Sequence, residues 1–147
     1  MGTLDSNLIF CEAQAVTATG DTASTNQYDT GNANGSGDAG ETFENLWITA
    51  VCTTTATSGG SATVQAVLQN SADDATWTDV VAGKALAVAA VLAGTVMLQV
   101  QPPPGMLEYW RIAWRVGVAV LTAGNFDAWG SNTIQYNVSR NSGFTVL

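Results

Sequence analysis

Few side chains in this sequence could carry out acid–base or nucleophilic chemistry, and histidine is absent from it. Histidine is the usual general base near neutral pH and a very common metal ligand. Without it, Ser-His and Cys-His nucleophile pairs and His-ligated metal sites cannot form within one chain. Lys84 is the single lysine, and no serine motif accompanies it. We therefore expect a protein that is not an enzyme and that carries no cofactor.

The carboxylates offer two further candidate sites. One is a calcium site at the Gly-rich segment 31–41, formed by Asp38, Glu41 and the nearby Glu44. These residues lack the regular Asp-x-Asp spacing of a calcium loop, so we interpret the segment as a surface loop and expect no metal site. The adjacent Asp73 and Asp74 are interpreted as a turn, because neighbouring strand residues point to opposite faces. A hydrolase whose carboxylates converge in space remains the enzymatic alternative.

The sharpest candidate site is a pair of arginines, Arg111 and Arg115, which hold half of the positive charge of the chain. At about 3.3 Å per residue along a strand, they would lie roughly 13 Å apart on one face. One interpretation is a solvated face on which acidic neighbours pair with them. The other is docking onto a partner that bears carboxylates, which guanidinium groups bind well.

Aromatic and apolar side chains supply the remaining candidates. Flat tryptophan faces could stack on sugar rings, and Trp77 and Trp129 are less constrained by the sequence pattern than the other tryptophans. We assign Trp129 to a contact with a partner protein or with another copy of this chain. Leu8 and Phe10, near the start of the chain, are assigned to the same kind of contact as apolar anchors. The remaining tryptophans are better explained by packing.

The cysteines, Cys11 and Cys52, are far apart in sequence. Their spacing leaves their pairing open. We interpret them as two small buried apolar residues.

Composition narrows the class of protein that positions these residues. The chain has 147 residues, of which 46% are hydrophobic and 11% charged, with a net charge of −8. This length predicts one domain with its own core. Four scattered cations do not make a nucleic-acid groove or a site for anionic membranes, so we expect neither partner. The start of the sequence lacks the basic and apolar regions of a signal peptide, which predicts synthesis in the cytoplasm.

Short β-branched segments separated by turn residues predict eight to ten strands and no amphipathic helix. The clearest strand is 107–116, where Trp110, Ile112, Trp114 and Val116 share a core face and Tyr109, Arg111, Ala113 and Arg115 share the outer face. Other predicted strands are 13–19, 25–30, 43–57, 62–70, 77–81, 95–101, 117–121, 126–130 and 133–138. Segment 84–93 fits a helix or a strand, and we choose the strand. Turns are predicted at 20–24 and at Gly124 and Asn125.

This spacing is typical of an antiparallel β-sandwich or a barrel. We divide the chain into an N-terminal arm (1–12), one all-β domain (13–138) and a C-terminal tail (139–147).

Four segments carry a resemblance to a known family: LIFCEAQAVTATGDTASTNQYDTG (8–31), LAGTVMLQVQPPPG (92–105), EYWRIAWRV (108–116) and LTAGNFDAW (121–129). In their order and motifs they resemble the cement or decoration proteins of short-tailed bacteriophages. The likeness spans most of the chain and departs from the family in the 31–41 loop and the 131–147 tail.

The resemblance implies a jelly-roll sandwich that self-associates, as a dimer in preference to a trimer, and binds the major capsid protein. It implies a place on the exterior of the capsid in the virion, where the protein would stabilise the phage head. Two alternatives remain: a carbohydrate-binding or host-attachment module, and a minor tail or neck protein.

Overall fold

A computed structural model describes residues 8–31 and 46–131 of the chain. This part forms ten strands. Two of them, Trp47–Thr57 and Thr78–Ala82, consist mostly of β-branched residues, which suit the pleated backbone of a sheet. The strands are β1 (Ile9–Ala15), β2 (Gly20–Ala23), β3 (Tyr28–Asp29), β4 (Trp47–Thr57), β5 (Thr63–Ser71), β6 (Thr78–Ala82), β7 (Leu86–Ala87), β8 (Val96–Val100), β9 (Tyr109–Gly117) and β10 (Ala123–Ser131). A 3-10 turn, Val88–Ala90, follows β7. Within the described ranges, no helix is long and apolar enough to cross a membrane.

The strands form two antiparallel sheets. The four-stranded sheet has the order β1-β10-β4-β8, and the six-stranded sheet has the order β2-β9-β5-β6, with β3 beside β9 and β7 beside β5. Strands that follow each other along the chain therefore occupy the same position in the order of the two opposite sheets. The pairs are β1 and β2, β4 and β5, and β9 and β10. This arrangement is a jelly roll. The predicted all-β sandwich of jelly-roll type is confirmed.

The core lies between the two sheets, and alternate side chains of β9 point into it. Trp110, Ile112 and Trp114 are each fully buried, as their shared face predicts. The ring of Trp114 reaches Phe126 of the opposite sheet, with ring centroids 4.6 Å apart. Large apolar side chains from both layers thus interdigitate, which supplies most of the stabilisation of a sandwich.

The beginning of the chain differs from the predicted arm and strand. β1 starts at Ile9, so the last four residues of the predicted arm 1–12 already belong to a sheet, and residues 1–7 lie outside the described part. The strand predicted at 13–19 ends at Ala15. The turn predicted at 20–24 is strand β2, because the chain turns earlier, at 16–19. Apolar Phe10 and Cys11 explain the difference, since their burial draws β1 into the core.

Four other predictions were wrong in detail. Segment 84–93 contains only the short β7 and the 3-10 turn, since alanine offers little side chain to hold a strand. Segment 117–121 is largely a connection, and the turn predicted at Gly124 and Asn125 lies inside β10. Of the strand predicted at 25–30, only Tyr28–Asp29 forms. The predicted strand 133–138, the tail 139–147 and nearly all of the 31–41 loop lie outside the described residues.

Candidate interaction surface

Arg111 and Arg115 lie on the outer face of the six-stranded sheet, as the alternation of β9 predicts. Register pairs Arg115 with Asp21 of β2 on one side and with Gln65 of β5 on the other. Arg111 is paired with Gln69 of β5. The neighbouring strands therefore bring carboxylates and amides beside both guanidinium groups.

Arg115 is paired with acidic residues of its own chain. Its Nε donates to Asp21 Oδ1 at 2.7 Å, and one terminal nitrogen donates to Asp21 Oδ2 at 2.8 Å. The same nitrogen lies 3.0 Å from an oxygen of Asp79. Hydrogen bonding to Asp21, and next to Asp79, raises the pKa of Arg115, and the bond from Arg115 lowers the pKa of Asp21. For Arg115 the structure therefore supports the interpretation of a face with paired acidic neighbours.

Gln69 joins the two arginines into one network. Its amide oxygen accepts a hydrogen bond from Arg111 Nε at 2.9 Å, and its amide nitrogen donates to Asp79 at 2.8 Å and to Asp21 at 3.4 Å. Only 4% of Gln69 is exposed, so its polar atoms depend on these partners rather than on water.

Trp77 fixes the other arginine. The guanidinium carbon of Arg111 lies 4.1 Å from the centre of the Trp77 ring, which is the geometry of a cation–π contact. Burial lowers the pKa of Arg111 below the usual arginine value. Both ion pairs found within the described residues belong to Arg115, so Arg111 is held by an amide and a ring. It can present its terminal nitrogens to a carboxylate of another protein.

The remaining predicted contact residues are not part of this network. Phe10 is 1% exposed and belongs to the core, and Trp129 is 5% exposed in β10 of the opposite sheet. Leu8 is half-buried and packs against the core. The assignment of Phe10 as an anchor on a free arm is therefore corrected, because its side chain is already used inside the fold.

The network contains three residues that the sequence analysis missed: Asp21, Gln69 and Asp79. A signal for Gln69 was present, since Gln65 and Gln69 share one face of β5 while Val64, Ala66 and Leu68 face the core. Asp21 and Asp79 gave no such signal, because both lie in short strands and are far in sequence from Arg115, which they approach in space.

The other residues considered for chemistry have structural explanations. Asp73 accepts hydrogen bonds from the backbone nitrogens of Ala75 and Thr76, so it caps a turn as interpreted, and these bonds lower its pKa to about 2. Cys11 and Cys52 are free thiols and both are buried. Among the described residues, no group of three or more histidine, cysteine or acidic side chains could hold a metal ion. The residues of the calcium alternative, Asp38, Glu41 and Glu44, lie outside that part.

Comparison with known protein families gives a match over most of the chain. The family model described as Bbp16 matches residues 10–129, which extend from β1 into β10 and so include both sheets. The name of this family suggests a bacteriophage origin. No curated protein matches the chain.

Proposed function

This chain belongs to the Bbp16 family, and from that membership we propose that it is a structural bacteriophage protein that decorates the outside of the capsid. The observation that carries the proposal is the match itself, because it covers the jelly roll from β1 into β10 and points to a phage protein. The partners would be the major capsid protein and further copies of this chain, and the place of action would be the exterior of the virion.

The make-up of the surface supports a role in assembly. Only 11% of the residues are charged, so most polar groups on the outer faces are hydroxyls and amides. Burying such groups against another protein avoids the high cost of removing charges from water. A protein that lies among many close neighbours benefits from this composition.

The mechanism is thermodynamic. A protein that binds only the assembled shell stabilises that shell by mass action, since loss of a shell subunit would also cost the bound decoration. Many copies that bridge neighbouring subunits of one closed lattice add the effect of multivalency. Weak contacts of each copy can therefore give a stable shell.

Of the two arginines predicted to make a polar contact with a partner, we retain Arg111. Arg115 is already held by two carboxylates of its own chain, Asp21 and Asp79. Arg111 is oriented by Gln69 and Trp77 and can offer its terminal nitrogens to a carboxylate of an adjacent protein on the shell.

The carbohydrate-binding alternative is less well supported by the tryptophans. One face of the Trp77 ring is covered by Arg111, and Trp129 is buried. A sugar platform needs an open aromatic face beside polar groups, and these were the two tryptophans that the sequence pattern left available.

Copy number tests the proposal. Particles of the phage that encodes the chain would be purified, and the band of this protein would be compared with that of the major capsid protein on a stained gel. A capsid decoration protein is expected at hundreds of copies in each particle. Roughly six or twelve copies, as the ring symmetry of a neck or tail requires, would support the minor tail or neck alternative instead.

A further inference from the structure

The large hydrophobic side chains that are exposed in the described part of the chain all lie at one end of the sandwich. They are Leu92 at 54%, Val118 at 80% and Val120 at 54% exposure. Leu92 lies in the connection before β8, and the two valines lie in the connection between β9 and β10. Scattered exposed apolar residues are ordinary, whereas exposed apolar residues gathered in one place mark an interaction site.

Hydrogen bonds hold these two connections beside the end of β4. Ala93 N donates to Thr55 Oγ1 at 3.0 Å, and Ser58 Oγ donates to Val120 O at 2.7 Å. Because one connection meets β4 from the β8 side and the other from the β10 side, about two strand spacings separate them, or roughly 10 Å. Leu92 and Val120 can therefore contact the same partner surface.

The valine connection is firmly attached. Leu121 lies between the exposed Val120 and Thr122 and is 3% exposed, and its backbone nitrogen donates to Thr17 O at 3.1 Å. Thr122 N donates to Thr57 O at 2.7 Å. The exposed valines thus belong to a segment that is hydrogen-bonded to the connection 16–19 and to the end of β4.

The two ends of the sandwich differ in charge. The exposed valines and leucine belong to an end, here named the apolar end, formed by the connections 16–19, 58–62, 88–95 and 118–122, which contain no charged residue. The opposite end, the acidic end, is formed by 24–27, 72–77 and 101–108 together with β3, and these segments contain no cation. Its carboxylates are Asp29, Asp73, Asp74 and Glu108.

The carboxylates of the acidic end act on a neighbouring tyrosine. The charge of Glu108 raises the pKa of Tyr109, with smaller contributions from burial, Asp29 and Asp74. Negative potential at this end would repel another acidic surface and favours contact with water. The apolar end has the opposite character, since contact there desolvates no charge.

The size of the apolar patch indicates what kind of partner it fits. Full burial of one aliphatic side chain removes about 100 Å² of apolar surface, so the three partly exposed side chains together offer roughly 200 Å². A stable pair of proteins buries about 800 Å² on each partner. The patch is too small to hold two free copies together, but it suits a partner that offers many equivalent sites, where weak contacts are multiplied.

We propose that the apolar end, through Val118, Val120 and Leu92, is the surface by which each copy sits on an uncharged, apolar site of the capsid shell, with the acidic end facing solvent. This inference rests on the proposed function, because it takes the shell as the partner. It adds the orientation of the molecule and the residues in contact.

The test measures binding of purified protein to isolated phage heads that lack it. Val118→Asp places one negative charge at the apolar end, and Leu92→Asp does so from a different connection in case Val118→Asp fails to fold. Ala72→Asp is the matched control, since it adds the same charge at an exposed position of the acidic end. Circular dichroism and urea unfolding of each variant check the fold.

We expect Val118→Asp and Leu92→Asp to bind the heads about tenfold more weakly or worse, because contact would desolvate a charge, while Ala72→Asp binds like the unaltered protein. If the unaltered protein itself does not bind heads, the proposed function fails. If it binds and the apolar-end variants bind equally well, the function stands and this inference is overturned. Loss of self-association, or of binding to neutral lipid vesicles, with head binding unchanged would overturn it as well.

Discussion

Arg115 and Asp21 form a two-pronged ion pair between β9 and β2, with nitrogen–oxygen distances of 2.7 and 2.8 Å. The register places the two residues directly opposite each other. Since β2 is an edge strand with only four residues, this pair adds a side-chain link where the backbone ladder is short. The guanidinium group of Arg115 therefore links β9 to β2 within the six-stranded sheet.

Asp21→Asn is expected to lower the free energy of unfolding by about 0.5–1 kcal/mol at neutral pH. The estimate stays small because 36% of the Arg115 side chain and 34% of the Asp21 side chain are exposed, so solvent screens the pair. The pKa of Asp21 is lower in the folded chain than in the unfolded one. The stabilisation is therefore present above about pH 4 and is lost as the pH falls further. Urea unfolding of both proteins across this range measures it.

Glu12→Gln is the matched control, because it removes an exposed carboxylate from the opposite sheet. Its effect on the free energy of unfolding should stay within about 0.5 kcal/mol. A gap between the unaltered protein and Asp21→Asn that persists undiminished in acid would show that the ionic pair is not its source.

The two thiols should be inert while the protein is folded. Burial raises the pKa of Cys11 to about 12 and also raises the pKa of Cys52. Because the thiolate is the reactive form, a disulfide reagent at about pH 8 should modify neither residue in buffer and both in denaturant. Rapid reaction of one thiol in buffer would contradict the burial of that cysteine.

The strands that could be predicted from sequence are those in which hydrophobic alternation and burial agree. β9 is the best example, since its tryptophans and Ile112 face the core as their spacing indicates. β2 and β10 were misplaced because glycine was taken as a turn signal. Gly20 begins a strand, and Gly124 lies within one, where Ala56 packs within 3.2 Å of the position of a Cβ atom. Close packing of this kind depends on the partner strand and is not visible in a local pattern.

The candidate surfaces were predictable only in part. Arg111 and Arg115 were found because both lie on one strand with a clear period. Asp21 and Asp79 come from other strands, so their approach to Arg115 depends on sheet order. The exposure of Val118 and Val120 was missed because segment 117–121 was interpreted as a strand, in which alternate valines would be buried.

Val118 is the site of a conflict between backbone and side chain. Its φ is 70°, a left-handed conformation that is unfavourable for a β-branched residue. Asparagine tolerates this conformation, so Val118→Asn should raise the free energy of unfolding by about 0.5–1 kcal/mol. The same variant should weaken binding to heads if the apolar end is the contact. Val120→Asn is the control, because Val120 has no positive φ. Equal stability changes for the two variants in urea unfolding would argue against strain at Val118.

Gly83 lies where the chain passes between the two sheets, and its missing side chain is required there. A Cβ atom at this position would overlap the carbonyl oxygen of Met97 in β8 and approach that of Ala66 in β5 at 3.2 Å. Both obstacles are backbone atoms of paired strands, so neither can move without disturbing a sheet. Gly83→Ala should therefore lower the free energy of unfolding by about 1–3 kcal/mol.

The matched control for that substitution is Gly59→Ala, in the connection between β4 and β5. A Cβ atom there would meet nothing within 4 Å, and φ of Gly59 is not positive. Alanine restricts the unfolded chain more than glycine does, so Gly59→Ala should be neutral or stabilising by up to about 1 kcal/mol. Urea unfolding with an unchanged m-value separates the two variants, because a changed slope would indicate a different folded state. Equal stability of Gly83→Ala and Gly59→Ala would mean that the sheets do not approach each other at Gly83 as closely as described.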